Sequence, residues 1–448
     1  MHSPDWNKQN GFILELYSPV NPLLDRGHEG LNEALDFIES LDEQLRPNLV
    51  YLNRDRKYSR QLVHERLHDF RYGNSTSIWF HRSQQRNDGL ELSFLDQGTE
   101  DTRFTLELKL RPFARLREEG LEEENARRLV SLVRAFAQRF PISYGLAHSS
   151  TDFHLGSDPH HSSFFRAPPG VYEAYWLNVY GPRLVEQLGR ERMLSTPAAH
   201  LEELPGGAVL WLTRPTPADF DSEEARLAQA RALVHLRPEL KLEDTLTTLR
   251  QRSLVFTPIP VEFDADVADI LWWKVEHLGL ADQRKNVERF NAYRPPPVSE
   301  WLPAAQAPAS DVEDVQGTLD TYEGHYAEQL IALFHKDIPA LMTGSLEALP
   351  QVDYHLWHWR WGALEREDDK EALIAALGAW LGMFLVHTLG GRWVPRRKLE
   401  ETAVVIGDRA WLPFLRARHA LQGREAPLDS SCSQLFRLAQ RLARASSS

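Results

Sequence analysis

Phe104-Thr105-Leu106-Glu107-Leu108-Lys109-Leu110 alternates apolar and polar residues along its whole length. Successive side chains of a strand point to opposite faces, so this spacing predicts a strand with one buried and one solvent-facing side. Downstream, Glu122 to Phe140 repeats apolar residues at helical spacing through Leu129, Leu132, Val133, Phe136 and Phe140. Its first turn is acidic, where the helix dipole favours negative charge. Upstream, Leu90–Leu95 and Thr76–Phe80 read as strands, and Phe12–Tyr17 as another alternating one. Between them, Glu29–Leu45 predicts a helix carrying Leu31, Leu35, Ile38, Leu41 and Leu45 on one stripe. This order predicts an α+β fold, an antiparallel sheet with helices packed on one face.

The pattern continues through a strand at Tyr172–Val179, a helix near Pro182–Leu188, a strand at Ala208–Thr213 and a helix at Ser222–His235. These elements need one another's apolar faces, so residues 1–250 are expected to form one domain. Residues 251–315 carry Thr257-Pro258-Ile259-Pro260, Pro295-Pro296-Pro297 and Pro308, and read as a Pro-rich connector. Ile270-Leu271-Trp272-Trp273 is too apolar for a solvated tether, so the connector is expected to be partly packed. Residues 316–448 predict a smaller, helix-rich α+β domain with a strand at Ala403–Ile406 and a turn at Gly407-Asp408. Its apolar run, Ala372 to Leu389, holds Gly378, Gly382 and His387, which favours a buried core helix over a membrane span.

A chain of 448 residues exceeds the size at which one core stops growing, and 42% hydrophobic residues supply more than one. A net charge of −13 argues against a nucleic-acid partner, whose phosphates need clustered Lys and Arg. Met1 to Lys8 has neither the basic region nor the apolar run of a signal peptide, and a single cysteine, Cys432, forms no intramolecular disulfide. The expected location is the cytoplasm, with no membrane partner.

Searching for chemistry brings out His148, His154, His160 and His161, with Asp152 and Asp158 among them, since imidazole and carboxylate are common metal ligands. The spacing matches no metal motif and the segment reads as a surface loop, so no metal is expected there. Tyr354-His355-Leu356-Trp357-His358-Trp359-Arg360-Trp361 places aromatic residues at alternate positions and reads as one buried face of a strand. No phosphate loop, dinucleotide fingerprint, nucleophile elbow or His-Glu-x-x-His pattern occurs, so neither a catalytic residue nor a cofactor is expected.

Tyr175-Trp176-Leu177-Asn178-Val179-Tyr180-Gly181-Pro182, Leu188-Gly189 and Leu204-Pro205-Gly206-Gly207-Ala208-Val209-Leu210 together resemble the type VI secretion immunity family. The resemblance covers about the first half of the chain. It implies an antiparallel α+β body and a protein that neutralises a cognate toxin by covering the toxin's active site. The acidic charge adds a basic target, such as a cytoplasm-acting nuclease, as the expected partner. Asp152, Phe153 and Asp158 are the expected partner-binding residues, because loops on a rigid scaffold commonly carry contacts. A secretion-system adaptor and, further off, a metal-dependent hydrolase using the His148–His161 loop are the alternatives.

Overall fold

The computed structural model describes residues 10–156, 171, 173–276, 278–358, 367–422 and 427–447. The fold is α+β, and the chain divides into two units: Met1–Pro258 with Gly279–Arg284, and Ile259–Leu278 with Lys285–Ser448.

The first unit is built on β1 (Phe12–Ser18), β2 (Leu49–Tyr51), β3 (Asp55–Lys57), β4 (Arg71–Tyr72), β5 (Ser75–Arg82) and β6 (Gln85–Thr99). It adds β7 (Thr102–Leu110), β8 (Tyr144–Ser149), β9 (Leu177–Tyr180), β10 (His200–Glu203) and β11 (Val209–Leu212). Among the described residues these form one antiparallel sheet in the order β10-β11-β9-β8-β1-β7-β6-β5-β2-β3, with β4 also on β5. β7 alternates buried and half-buried residues throughout, as its sequence requires.

One face of the sheet carries the main core. Phe12, Leu14 and Leu16 of β1 and Phe104, Leu106 and Leu108 of β7 meet the helices Pro22–Glu39 and Glu122–Ala137 there. Phe136 of the second helix stacks on Phe104 at 5.7 Å, and Phe104 on Phe94 at 4.9 Å. Asn21 caps the Pro22–Glu39 helix by accepting from the Leu24 amide, with Pro22 preset for the first turn.

Helices also cover the second face at the β9–β11 end, contrary to the one-face expectation. Tyr180, Val209 and Trp211 pack there against Leu184, Val185, Met193, Leu233 and Leu236. Leu177, Val179, Leu210 and Leu212 of the same strands enter the main core. A strand buried on both faces reads as a continuous apolar run, which is what Val209-Leu210-Trp211-Leu212 is.

The second unit surrounds the helix Glu367–Leu389. Asp369–Leu389 is long and apolar enough to cross a membrane by length and composition alone. Here Leu377, Trp380, Leu381 and Leu385 are fully buried in the core of the unit. A Cβ on Gly382 would lie 1.9 Å from the Trp393 ring, so glycine is what lets that indole lie against the helix. β12 (Trp301–Pro303), β13 (Arg392–Val394), β14 (Ala403–Ile406) and β15 (Arg409–Trp411) form a sheet in the order β12-β15-β14-β13. The β14–β15 turn falls at Gly407, in the left-handed region at φ 58°, as its sequence predicts.

The expected connector over residues 251–315 is not a separate segment. Most of it belongs to the second unit, with Ile270, Leu271 and Val275 fully buried and Trp301 paired with Trp411. The helix Ala268–Val275 buries these side chains, so the Ile270–Trp273 run, not the surrounding prolines, decides its fate. Tyr354 to His358 is likewise the end of a helix, Ala348–His358, not a strand, and Trp359 to Trp361 lie outside the described residues.

Candidate functional site

The described part of the segment expected to be a surface loop, residues 148–156, is strand and helix: His148 lies on β8, and Asp152 and Phe153 on the helix Ser150–Gly156. His148 and Asp152 are each 1% exposed, and Phe153 packs with Ile13, Leu146 and Tyr175. Asp152 and Phe153 are therefore interior residues, which corrects their assignment as partner contacts. Asp158, His160 and His161 lie outside the described residues.

Asp152 owes its burial to Arg226, a residue 74 positions away on the helix Glu223–Leu236. The Arg226 guanidinium donates to both carboxylate oxygens, at 2.6 and 2.9 Å. His148 Nδ1 accepts from the Trp176 amide at 3.2 Å, which leaves Nε2–H to donate to Asp152 at 2.7 Å. Burial holds the His148 pKa below its usual value, against the pull of Asp152, so the imidazole is neutral. Burial alone would raise the Asp152 pKa, but hydrogen bonds from His148 and Arg226 outweigh it and hold the carboxyl well below the usual range. Arg226 also donates to Ser253 Oγ at 2.8 Å and Gln229 Oε1 at 3.0 Å. This network ties β8 to three helices, Ser150–Gly156, Glu223–Leu236 and Leu242–Ser253. Among the described residues, no group of three or more His, Cys, Asp or Glu side chains is arranged to hold a metal ion.

An open site lies at the other end of the sheet, beside β5. One edge of β5 pairs with β6 from Ser75 to Arg82. Its other edge is shared by two short strands: β4 pairs at Ser75 and Thr76, β2 at Phe80 and His81. Ser77, Ile78 and Trp79 thus have no register partner on that edge among the described residues. The gap opens into a groove of about 900 Å³ lined by Tyr51, Arg54 and Arg56 on one side, Arg66, Arg71 and Tyr72 on the other, and Trp79 and Glu91 at its floor. Tyr51, Tyr72 and Trp79 are 47%, 85% and 40% exposed.

The charges are unevenly satisfied. Arg66 pairs with Asp69 at 2.8 Å and Arg71 with Asp96 at 2.5 Å. Arg54 and Arg56, both exposed on the β2–β3 hairpin, make no ion pair or side-chain hydrogen bond among the described residues. The hairpin turns at Asn53, at φ 57°, a conformation asparagine tolerates better than most side chains. Neither the groove nor its arginines were expected from sequence. Strands of two or three residues show no periodicity, and Asn53 and Gly73-Asn74 signal only the turns beside them.

Behind the groove a row of side chains crosses the open face: Trp79 opposes Glu91, Glu91 opposes Glu107, and Glu107 opposes Glu15. Like charges directly opposite one another destabilise a sheet. Lys109 pairs with Glu107, Ser93 Oγ donates to Glu91 at 2.6 Å, and Tyr17 donates to Glu15. Glu15 is still pushed up to about 7, by burial first and then by Glu107, with Tyr17 and Lys109 acting in the other direction. A carboxyl raised on folding weakens the fold as pH rises from the unfolded to the folded pKa, and the penalty is complete above the latter. Glu15→Gln is therefore expected to match the parent near pH 4 and to be more stable at pH 8 by on the order of 1–3 kcal/mol. Thermal melts at both pH values check this; equal stability at pH 8 would show that the carboxylate ionises freely.

The motif Tyr175–Pro182 forms β9 and the turn after it. Asn178 is fully buried and clamps the backbone of Tyr175, accepting from its amide at 3.0 Å and donating to its carbonyl at 2.9 Å. A Cβ on Gly181 would meet the Ile142 carbonyl oxygen at 2.4 Å, so these residues secure the sheet. No family model matches the chain, and a search of curated proteins finds no match.

Proposed function

We propose that this chain is an immunity protein that binds a cognate secreted toxin in the cytoplasm and neutralises it by covering the toxin's active site. The observation that carries the reading is the groove on β5, lined by exposed Tyr51, Tyr72 and Trp79 together with two arginines that have no side-chain partner among the described residues. Tyr, Trp and Arg are the side chains that dominate binding energy in protein interfaces. The resemblance of Tyr175–Pro182 and Leu204–Leu210 to type VI immunity proteins supplies the class of partner. At longer range the charge of −13 favours encounter with a basic target such as a nuclease.

Co-expression with each toxin encoded beside the gene tests the proposal. One toxin is expected to lose its toxicity, and Trp79→Ala with Tyr51→Ala to restore it, since truncating two interface anchors costs roughly 2 kcal/mol or more each. No protection against any neighbouring toxin would overturn the immunity reading. A protein recovered with secretion-apparatus components and no toxin would make it an adaptor.

A further inference from the structure

We infer that the gap between β2 and β4 receives an extended, acidic segment of the partner protein, which adds to β5 as a short strand. This rests on the groove being the partner site and names what enters it.

The backbone makes the first half of the case. His81 O accepts from Asn48 N at 3.1 Å, so the His81 carbonyl points toward β2. Strand period two turns Trp79 and Ser77 to the same edge, where the register with β2 and β4 stops on either side. The gap spans three residues, about 10 Å of strand. Unpaired strand edges recruit other strands unless something blocks them. Here β2–β3 and β4 flank the gap, so a long flat edge from a second copy is excluded while a single extended segment fits. Main-chain hydrogen bonds then give affinity, and side-chain pockets give specificity.

The side chains make the second half. Arg54 and Arg56 line the groove without a side-chain partner among the described residues, and Arg66 and Arg71 line it with theirs, against Asp69 and Glu91 as the groove's acidic residues. This local cationic excess sits on a chain of net charge −13. Guanidinium groups bind carboxylates through paired N–H donors, so the occupant carries Asp or Glu flanking its central residues. A nucleic-acid strand also suits arginine and aromatic rings, but its phosphates meet long-range repulsion from the rest of the protein.

The test is fluorescence anisotropy on the full-length protein with three labelled probes: a nonapeptide alternating Glu and Val, its Lys counterpart, and an oligo-dT of eight nucleotides. Only the Glu peptide is expected to bind. N-methylation of its central amides, which blocks the ladder, and the double variant Arg54→Glu, Arg56→Glu are each expected to weaken binding roughly tenfold or more. Matching thermal melts establish that the exposed double variant is folded. Equal binding of the Lys peptide, tighter binding of oligo-dT, or no effect of N-methylation or of the charge reversal would overturn the inference. The two readings fail separately: no protection against any neighbouring toxin overturns the immunity reading, whereas protection that is lost in Trp79→Ala but survives the charge reversal keeps the groove as the toxin site and overturns its acidic occupant.

Discussion

Asp152→Ala is expected to cost the first unit about 3–5 kcal/mol, the effect of removing one partner from a buried ion pair. Arg226, fully buried, loses both of its carboxylate hydrogen bonds and keeps only Ser253 and Gln229. His148 loses the acceptor for its Nε2–H as well. Asp152→Asn keeps the shape but not the charge, and is expected to fall between the parent and the alanine variant. The double change Asp152→Leu, Arg226→Met removes both charges, and is expected to recover much of the loss because no unpaired ion remains. Calorimetry or urea unfolding reads these differences. A loss below about 1 kcal/mol for Asp152→Ala would mean that water reaches Arg226 and that the network is not closed.

That network also shows where the sequence is silent. His148, Ser149 and Asp152 crowd together as residues typical of loops, and the residue that lets them be buried is Arg226, far away along the chain. Nothing local distinguishes a solvated Asp from one held by a distant guanidinium. β7 was legible because one of its faces is buried and the other is not, so its alternation is complete. β9 and β11 are buried on both faces, and neither Leu177-Asn178-Val179-Tyr180 nor the apolar run Val209–Leu212 says how many helices it serves. Tyr354 to His358 was misread because aromatic residues at alternate positions fit a strand, whereas Val352 and Leu356 at helical spacing are the buried pair. The groove was least legible of all. It arises where β2 and β4 stop short of each other along β5, a fact of register that neither segment records alone.

In the second unit, Glu300→Ala is expected to cost about 3–5 kcal/mol by the same physics. Glu300 and Arg416 side chains are each 2% exposed and bond at 3.0 Å. His419 Nδ1 lies 2.7 Å from the other Glu300 oxygen. Burial alone would raise the Glu300 pKa, but Arg416 and His419 outweigh it and lower it. A carboxyl lowered on folding stabilises above its unfolded pKa, and that stability is lost as pH falls through the folded value. The gap between parent and variant is therefore expected to be full at pH 7 and to narrow below about pH 4. Removing more of the chain sharpens the test. A fragment beginning at Gln316 lacks Glu300, the buried Ile270 and Leu271, and Trp301 on β12, which pairs with Trp411. It is expected to show no cooperative melt, because Arg416 then stays buried without its carboxylate and β15 loses its edge partner. A fragment beginning at Ile259 keeps all of these and is expected to melt cooperatively. If the shorter fragment melted as sharply as the longer one, residues 259–315 would be a passenger on the unit and not part of its core.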